Sequence, residues 1–472
     1  MLLVLSFIIG FIPASFIIHL VQKDFSGFYF EAISFLKYHS YSYQILTNYC
    51  GNPVNTGLNA RAPLVPFLMA ISMATVGRNL VGIYLPFFIA RLLIGPITYL
   101  AASHYLSKKF AFLASFLLVV IPKLQTYSFG SPEADIFVAL FYVLAIYFYN
   151  KSNKLTKRKL VMLTGISLGL GALAKSIGLG IAVGFILAVL LENLLQLKKK
   201  KLLNNLVLFI VSFILIIGPY LLWTVLIHHQ LYITTQHDKS LTYIPLNLPS
   251  LLSTIPLYLG IDFNLNLKGK IVSSMFLFFL IVGIVRAIRK KQFVLVVPTA
   301  VTLVFISMLS TCLLSGNIPA NYEFITILGF TMIPAVILLL TGSEELISFI
   351  WLKMMRRPIP TIIVTGTMIL ILFKFINNFF SVTYVLDYIP NQFYISLPTV
   401  IKNRQQLAES TFIVENGVRI FNGPITHVEI FEKFNTYRFK PFSPFYSRLI
   451  RLAAVVTFIV LILPEKRLSR KS

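Results

Sequence analysis

Apolar runs long enough to cross a bilayer, divided by short clusters of Lys and Arg, constrain this chain more than any other feature. A span needs roughly 20 apolar residues. Runs of that order lie near 1–21, 80–106, 109–122, 133–149, 160–174, 177–195, 202–227, 271–287, 293–314, 322–341, 359–376 and 448–463. The third and fifth are short for a full crossing. With 57% hydrophobic and 12% charged residues, a soluble 472-residue protein is excluded. The expected fold class is an all-α polytopic membrane protein with about twelve transmembrane helices.

The basic residues give that bundle a direction. Lys108–Lys109, KSNKLTKRK (151–159), KKKK (198–201), RAIRKK (286–291), KMMRR (353–357) and the tail EKRLSRKS follow every second span. The positive-inside rule places all six in the cytoplasm, and both termini with them. These clusters hold 22 of the 41 Lys and Arg, so the net charge of +25 is mainly a topology signal. The expected partner of this charge is the bilayer, with some attraction to anionic lipid, and not nucleic acid. The run MLLVLSFIIGFIPASFIIHLV has no basic n-region and nearly the length of a span, so it reads as a retained helix rather than a signal peptide.

Three segments are long and non-cytoplasmic in this topology. Residues 22–79 form a first outer loop within a membrane module spanning 1–376. There SGFYFEAISFLKYHS reads as an amphipathic helix with Phe28, Ala32, Phe35 and Leu36 on one face. After the turn CGNPVNTGLNAR, Pro63 opens PLVPFLMAISMATVG, a helix expected to lie in the interface rather than cross. Residues 228–270 are a polar, aromatic, Pro-punctuated stretch that suits a lid. Residues 377–447 carry TFIVENGVRIFNGPITHVEIFEKF, whose β-branched runs are split by Asn-Gly and Gly-Pro turns. A small mixed outer domain is expected there, before a last helix and cytoplasmic tail over 448–472. No internal repeat is visible, which argues against an inverted-repeat transporter.

Only four carboxylates occur in the first 190 residues, and they form two pairs: Asp24 with Glu31 after the first run, Glu133 with Asp135 after the third. A carboxylate at a membrane edge is costly unless solvated, paired or bound to ligand, so these acids are the primary candidates for function. Asp24 and Glu31 are seven residues apart and share a helix face if the helix begins at Asp24. Each has a plainer reading too. Asp24 suits a helix N-cap, and Glu133 and Asp135 follow Ser131–Pro132, where acids favour a helix dipole. Lys175 could be one more snorkelling side chain. His39, and His237 with Asp238 in the lid-like loop, are explained equally well by loop polarity. Cys50 and Cys312 match no metal spacing and read as free thiols, with a disulfide open only if both lie outside.

The order of these features resembles the GT-C superfamily of integral-membrane glycosyltransferases that use polyprenyl-phosphate sugar donors, such as protein O-mannosyltransferases and bacterial aminoarabinose transferases. An acid follows the first helix, an amphipathic loop helix comes next, a basic residue precedes a Pro-led juxtamembrane stretch, and a second acid opens the fourth span. GSPEADIFVALFYVLAIYFYNKS is similar to the family's acid-led fourth span. GISLGLGALAKSIGL resembles its Gly-rich fifth helix ending in Lys, and NYEFITILGFTMIPAV its late span. The likeness covers about residues 1–340. Ala62–Pro63 stands where Pro-Pro is common and Asn321–Tyr322 where Arg-Tyr is common, and the Trp-Trp-Asp motif of oligosaccharyltransferases is absent.

The resemblance implies transfer of a sugar from polyprenyl (dolichyl) phosphate to a hydroxyl of a protein, lipid or glycan, at the non-cytoplasmic face of the cell membrane and with inversion. The chemistry suits the residues. A carboxylate within hydrogen-bond reach deprotonates the attacking hydroxyl, and the phosphate leaving group needs cations rather than a general acid. Asp24 is the expected base, with Glu31 beside it. Glu133 and Asp135 are expected to orient the acceptor, and Arg61 and Lys175 to hold the donor phosphate. Any divalent cation would fall to Asp24 and Glu133. A transporter or lipid flippase using the same acids as an ion relay is the rival class, although relay acids sit near the midplane rather than at span ends. A non-catalytic assembly subunit is a third.

Overall fold

A computed structural model of the chain describes residues 62–120, 134–193, 200–228, 267–301 and 332–354, apart from residues 79 and 154. It also describes Phe28, Glu31, Ala32, Phe35 and Leu36, and two short hairpins. The expected helices at 1–21, 359–376 and 448–463 lie outside these residues, as do most of the lid-like loop and nearly all of 377–447. The twelve-span count and the outer domain therefore remain expectations.

The described bundle is helical. Its elements are α1 (Leu64–Val76), α2 (Leu80–Ala102), α3 (Lys108–Val120), α4 (Asp135–Lys151), α5 (Arg158–Ala174), α6 (Ser176–Asn193), α7 (Lys200–His228), α8 (Leu267–Arg289) and α9 (Met332–Met354), with a further helical stretch over 293–301. Among the described residues, the runs at 80–106, 109–122, 133–149, 160–174, 177–195, 202–227 and 271–287 become helices within a few residues of their expected bounds. Val81–Ala102 and Leu202–Leu226 are long and apolar enough to cross a bilayer among the described residues. The 13 residues of α3 rise only about 20 Å, short of a ~30 Å hydrocarbon core.

α5 is the hub, packing against α4, α7, α6 and α1, while α2 joins α4 to α1 and α3, and α8 pairs with α9. Bare glycines permit the closest approaches. A methyl group on Gly165 would collide with the Phe209 carbonyl oxygen and lie 2.9 Å from the Ser212 side chain, both on α7. Gly283 of α8 meets the Leu338 carbonyl, and Gly342 of α9 meets that of Phe279. Without a hydrophobic drive between helices in lipid, such small-residue contacts hold bundles together by dispersion. α7 turns Val207, Val211, Ile214, Leu215, Leu222 and Leu226 outward, a stripe suited to acyl chains.

α1 starts at Pro63, whose missing N–H costs nothing in a first turn. It stops at Gly77, where φ is 102° and the amide bonds back to the Met73 carbonyl at 3.0 Å. The first-loop helix docks on it through the face expected from the sequence. Phe28 and Ala32 are buried, Phe35 and Leu36 pack on the same core, and the Phe35 ring meets Phe67 of α1 edge-on at 5.9 Å.

One expected boundary shifts. The run at 322–341 was expected to end before Gly342-Ser-Glu-Glu, yet α9 continues through it to Met354. The two acids have partners that make continuation favourable. Glu344 accepts the Ser107 N–H ahead of α3 at 3.1 Å, and Glu345 pairs with Arg286 of α8 at 2.7 Å. Two short strands, β3 (Phe412–Glu415) and β4 (Val418–Phe421), pair antiparallel with Glu415 opposite Val418, and Asn416-Gly417 between them lies outside the described residues. The other hairpin joins β1 (Leu46–Thr47) and β2 (Pro53–Val54).

Candidate functional site

The two ends of the bundle have different chemistry. At one end, helix termini rich in Lys and Arg are tied together. The Tyr149 hydroxyl donates to Glu192 at 3.0 Å, and Glu192 accepts the Val294 N–H at 3.2 Å, an anionic cap for the stretch over 293–301. Asn193 donates to the Tyr149 hydroxyl at 3.1 Å and Asn150 to Tyr105 at 2.6 Å. The bonds from Ser107 and Arg286 to α9 lie at this same end. Positions 105–108, 149–151, 192–193, 286–294 and 344–345 therefore share one side.

At the opposite end, α4 begins and α5 stops. Asp135 opens α4, where a carboxylate also benefits from the unpaired N–H groups of the first turn. Lys175 is a one-residue break between α5 and α6, with extended backbone at φ −158° and ψ 148°. α4 and α5 pack antiparallel, so the start of one meets the end of the other. The Lys175 ammonium donates to Asp135 Oδ2 at 2.8 Å. The Asp135 side chain is wholly buried, whereas 26% of the Lys175 side chain is exposed. Asp135 Oδ1 is buried and accepts no hydrogen bond.

Two of the six expected site residues are thus in direct contact. Glu31 is placed as well: it is 1% exposed, on the packed face of the first-loop helix. Tyr220 stacks against Trp223 one turn on, with ring centroids 6.0 Å apart. α1, which follows Arg61, touches α5, which leads into Lys175. Asp24, Glu133 and Arg61 lie outside the described residues, as do His39, His237, Asp238 and both cysteines. Among the described residues, no three His, Cys, Asp or Glu side chains gather as a metal would require.

Sequence reasoning missed Arg91. It is fully buried in α2, on a face with Tyr84, Phe87, Ile94 and Thr98. A lone Arg inside an apolar run was the available signal.

These features fit a known class. Residues 60–223 match the family described as dolichyl-phosphate-mannose-protein mannosyltransferase. In fold, the chain is similar to ArnT from Cupriavidus metallidurans bound to undecaprenyl phosphate, with a TM-score of 0.50 and 15% identity over 73% of this chain and 59% of that one. It is also similar to the Archaeoglobus fulgidus oligosaccharyltransferase in complex with Zn and sulfate, with a TM-score of 0.45 and 16% identity over 77% of this chain and 51% of that one. The chain thus spans less than two thirds of the length of either. No curated protein matches it in sequence. The expected likeness is thus found in both comparisons: the mannosyltransferase family's sequence pattern covers α1 to most of α7, and the fold of ArnT is matched over 73% of the chain.

Proposed function

We propose that the protein is a membrane glycosyltransferase that moves a sugar from a polyprenyl (dolichyl)-phosphate donor to an acceptor hydroxyl at the non-cytoplasmic face. The family match over 60–223, the region that contains both Asp135 and Lys175, carries this reading. The acceptor belongs to a protein, a lipid or a glycan.

Asp24 takes the proton of the acceptor hydroxyl as it attacks the anomeric carbon. The bond from that carbon to the phosphate oxygen breaks in the same step, so the configuration inverts. The departing phosphate gains charge and is stabilised by Arg61 and Lys175. Glu133 orients the acceptor, and with Asp24 is the pair that a divalent cation would use. Glu31 supports the first-loop helix, since it is buried on that helix's packed face.

The test is to incubate membranes containing the protein with radiolabelled polyprenyl-phosphate sugars and to identify what becomes labelled. Transfer by the wild type but not by Asp24→Asn supports the proposal. No transfer from any polyprenyl-phosphate sugar, under conditions where the protein is folded and inserted, overturns it.

A further inference from the structure

We infer that Asp135 is a positioning residue for Lys175, and that it acts on the donor phosphate through that ammonium rather than on the acceptor. The inference rests on the glycosyltransferase reading above and specifies how the phosphate subsite is built.

Access decides against direct contact. None of the Asp135 side chain is exposed, so a substrate hydroxyl has no path to it, while a quarter of the Lys175 side chain is open. The carboxylate makes a single kind of polar contact: Oδ2 accepts from Lys175 at 2.8 Å and Oδ1 accepts from nothing. A buried carboxylate oxygen without a hydrogen bond is costly to keep, and a fold that needed only a helix cap would be served by Ser or Asn. What a full negative charge adds is a grip on an ammonium.

Lys175 is a residue for which such a grip matters. Its stem is flexible, and an ammonium is a point charge that sets no direction by itself. Its backbone is extended at a break between two helices. Asp135 anchors one of the three N–H donors from the buried side. That orients the ammonium, and a quarter of the Lys175 side chain stays open to solvent. A phosphate reaching this end of the bundle meets a cation already in place, so less ordering is needed at binding.

The inference is tested by measuring binding of polyprenyl phosphate, without sugar, to the purified full-length protein alongside donor KM and kcat for transfer. The variants are Asp135→Asn, Lys175→Met and the double variant, each checked for thermal stability. Asp135→Asn should weaken polyprenyl-phosphate binding and raise donor KM by about tenfold, the scale on which orienting partners act. The kcat at saturating acceptor should change less. Once Lys175 is Met, adding Asp135→Asn should cause no further loss of binding, because the carboxylate then has nothing to position.

If Lys175→Met weakens binding but Asp135→Asn leaves it unchanged, this inference fails and the function proposed above survives. If Asp135→Asn abolishes kcat with donor binding intact, Asp135 acts on the acceptor and the inference is again wrong. A stability loss in Asp135→Asn with unchanged binding and KM marks a purely structural bridge, which also overturns it. A well-folded wild type that does not bind polyprenyl phosphate removes the functional reading itself.

Discussion

Arg91 holds a guanidinium within a membrane-spanning helix with no exposed surface. A charge there costs several kcal/mol unless the bundle satisfies it, and Arg91 does engage other groups. A planar guanidinium and the point charge of a lysine ammonium are not interchangeable at such a site. Arg91→Lys and Arg91→Met should each lower stability by about 3 kcal/mol, the cost of breaking a buried charge's interactions. Thermal unfolding in detergent checks this, and an unchanged midpoint for Arg91→Met would show the charge to be dispensable. Asp24 makes the opposite demand. Asp24→Asn should abolish turnover while leaving insertion and donor binding largely intact, because an amide of the same shape cannot accept the proton. Retention of half the wild-type turnover would remove Asp24 from the mechanism. Acids at the edge of an apolar run were legible as candidates because they are rare there. The contact between Asp135 and Lys175 was not, because 40 residues separate them and only helix packing brings them together. Arg91 escaped because a hydrophobic window averages over one charge.

Elements were more legible than contacts. Among the described residues the apolar runs gave the helices, since that signal is local. α9 runs on past the apolar run near 322–341 because Glu344 and Glu345 find partners in Ser107 and Arg286, which the sequence does not show side by side. The glycines of α5 were read as part of a family pattern, and packing explains them physically. Gly165→Ala gains up to about 1 kcal/mol of helix propensity. It also drives a methyl group into the Phe209 carbonyl, and overpacking costs about 1–3 kcal/mol. Since a backbone oxygen cannot swing aside, the clash should win and the variant should be less stable. Gly180 of α6 has open space where the new methyl would go. Gly180→Ala should therefore be neutral or stabilising by up to about 1 kcal/mol. Comparing the two midpoints tests the packing argument, and equal effects would contradict it.

For the whole molecule, the separation of its ends matters most. The ties from Tyr149 to Glu192, Glu192 to Val294, Ser107 to Glu344 and Arg286 to Glu345 gather the chain next to the basic clusters at one end. The Asp135–Lys175 pair lies at the other. Lys and Arg are retained on the cytoplasmic side when short loops insert, so the pair and the sugar chemistry proposed for it should face away from the cytoplasm. Single cysteines placed at Lys198, Lys290 and Asn416 in a chain lacking Cys50 and Cys312 read this directly with a membrane-impermeant maleimide. The Asn416→Cys variant should react in intact cells, and Lys198→Cys and Lys290→Cys only after permeabilisation. Labelling of Lys198→Cys from outside, with Asn416→Cys protected, would invert the molecule. The proposed phosphate subsite would then face the cytoplasm, and the proposal of transfer at the non-cytoplasmic face would fall with the topology.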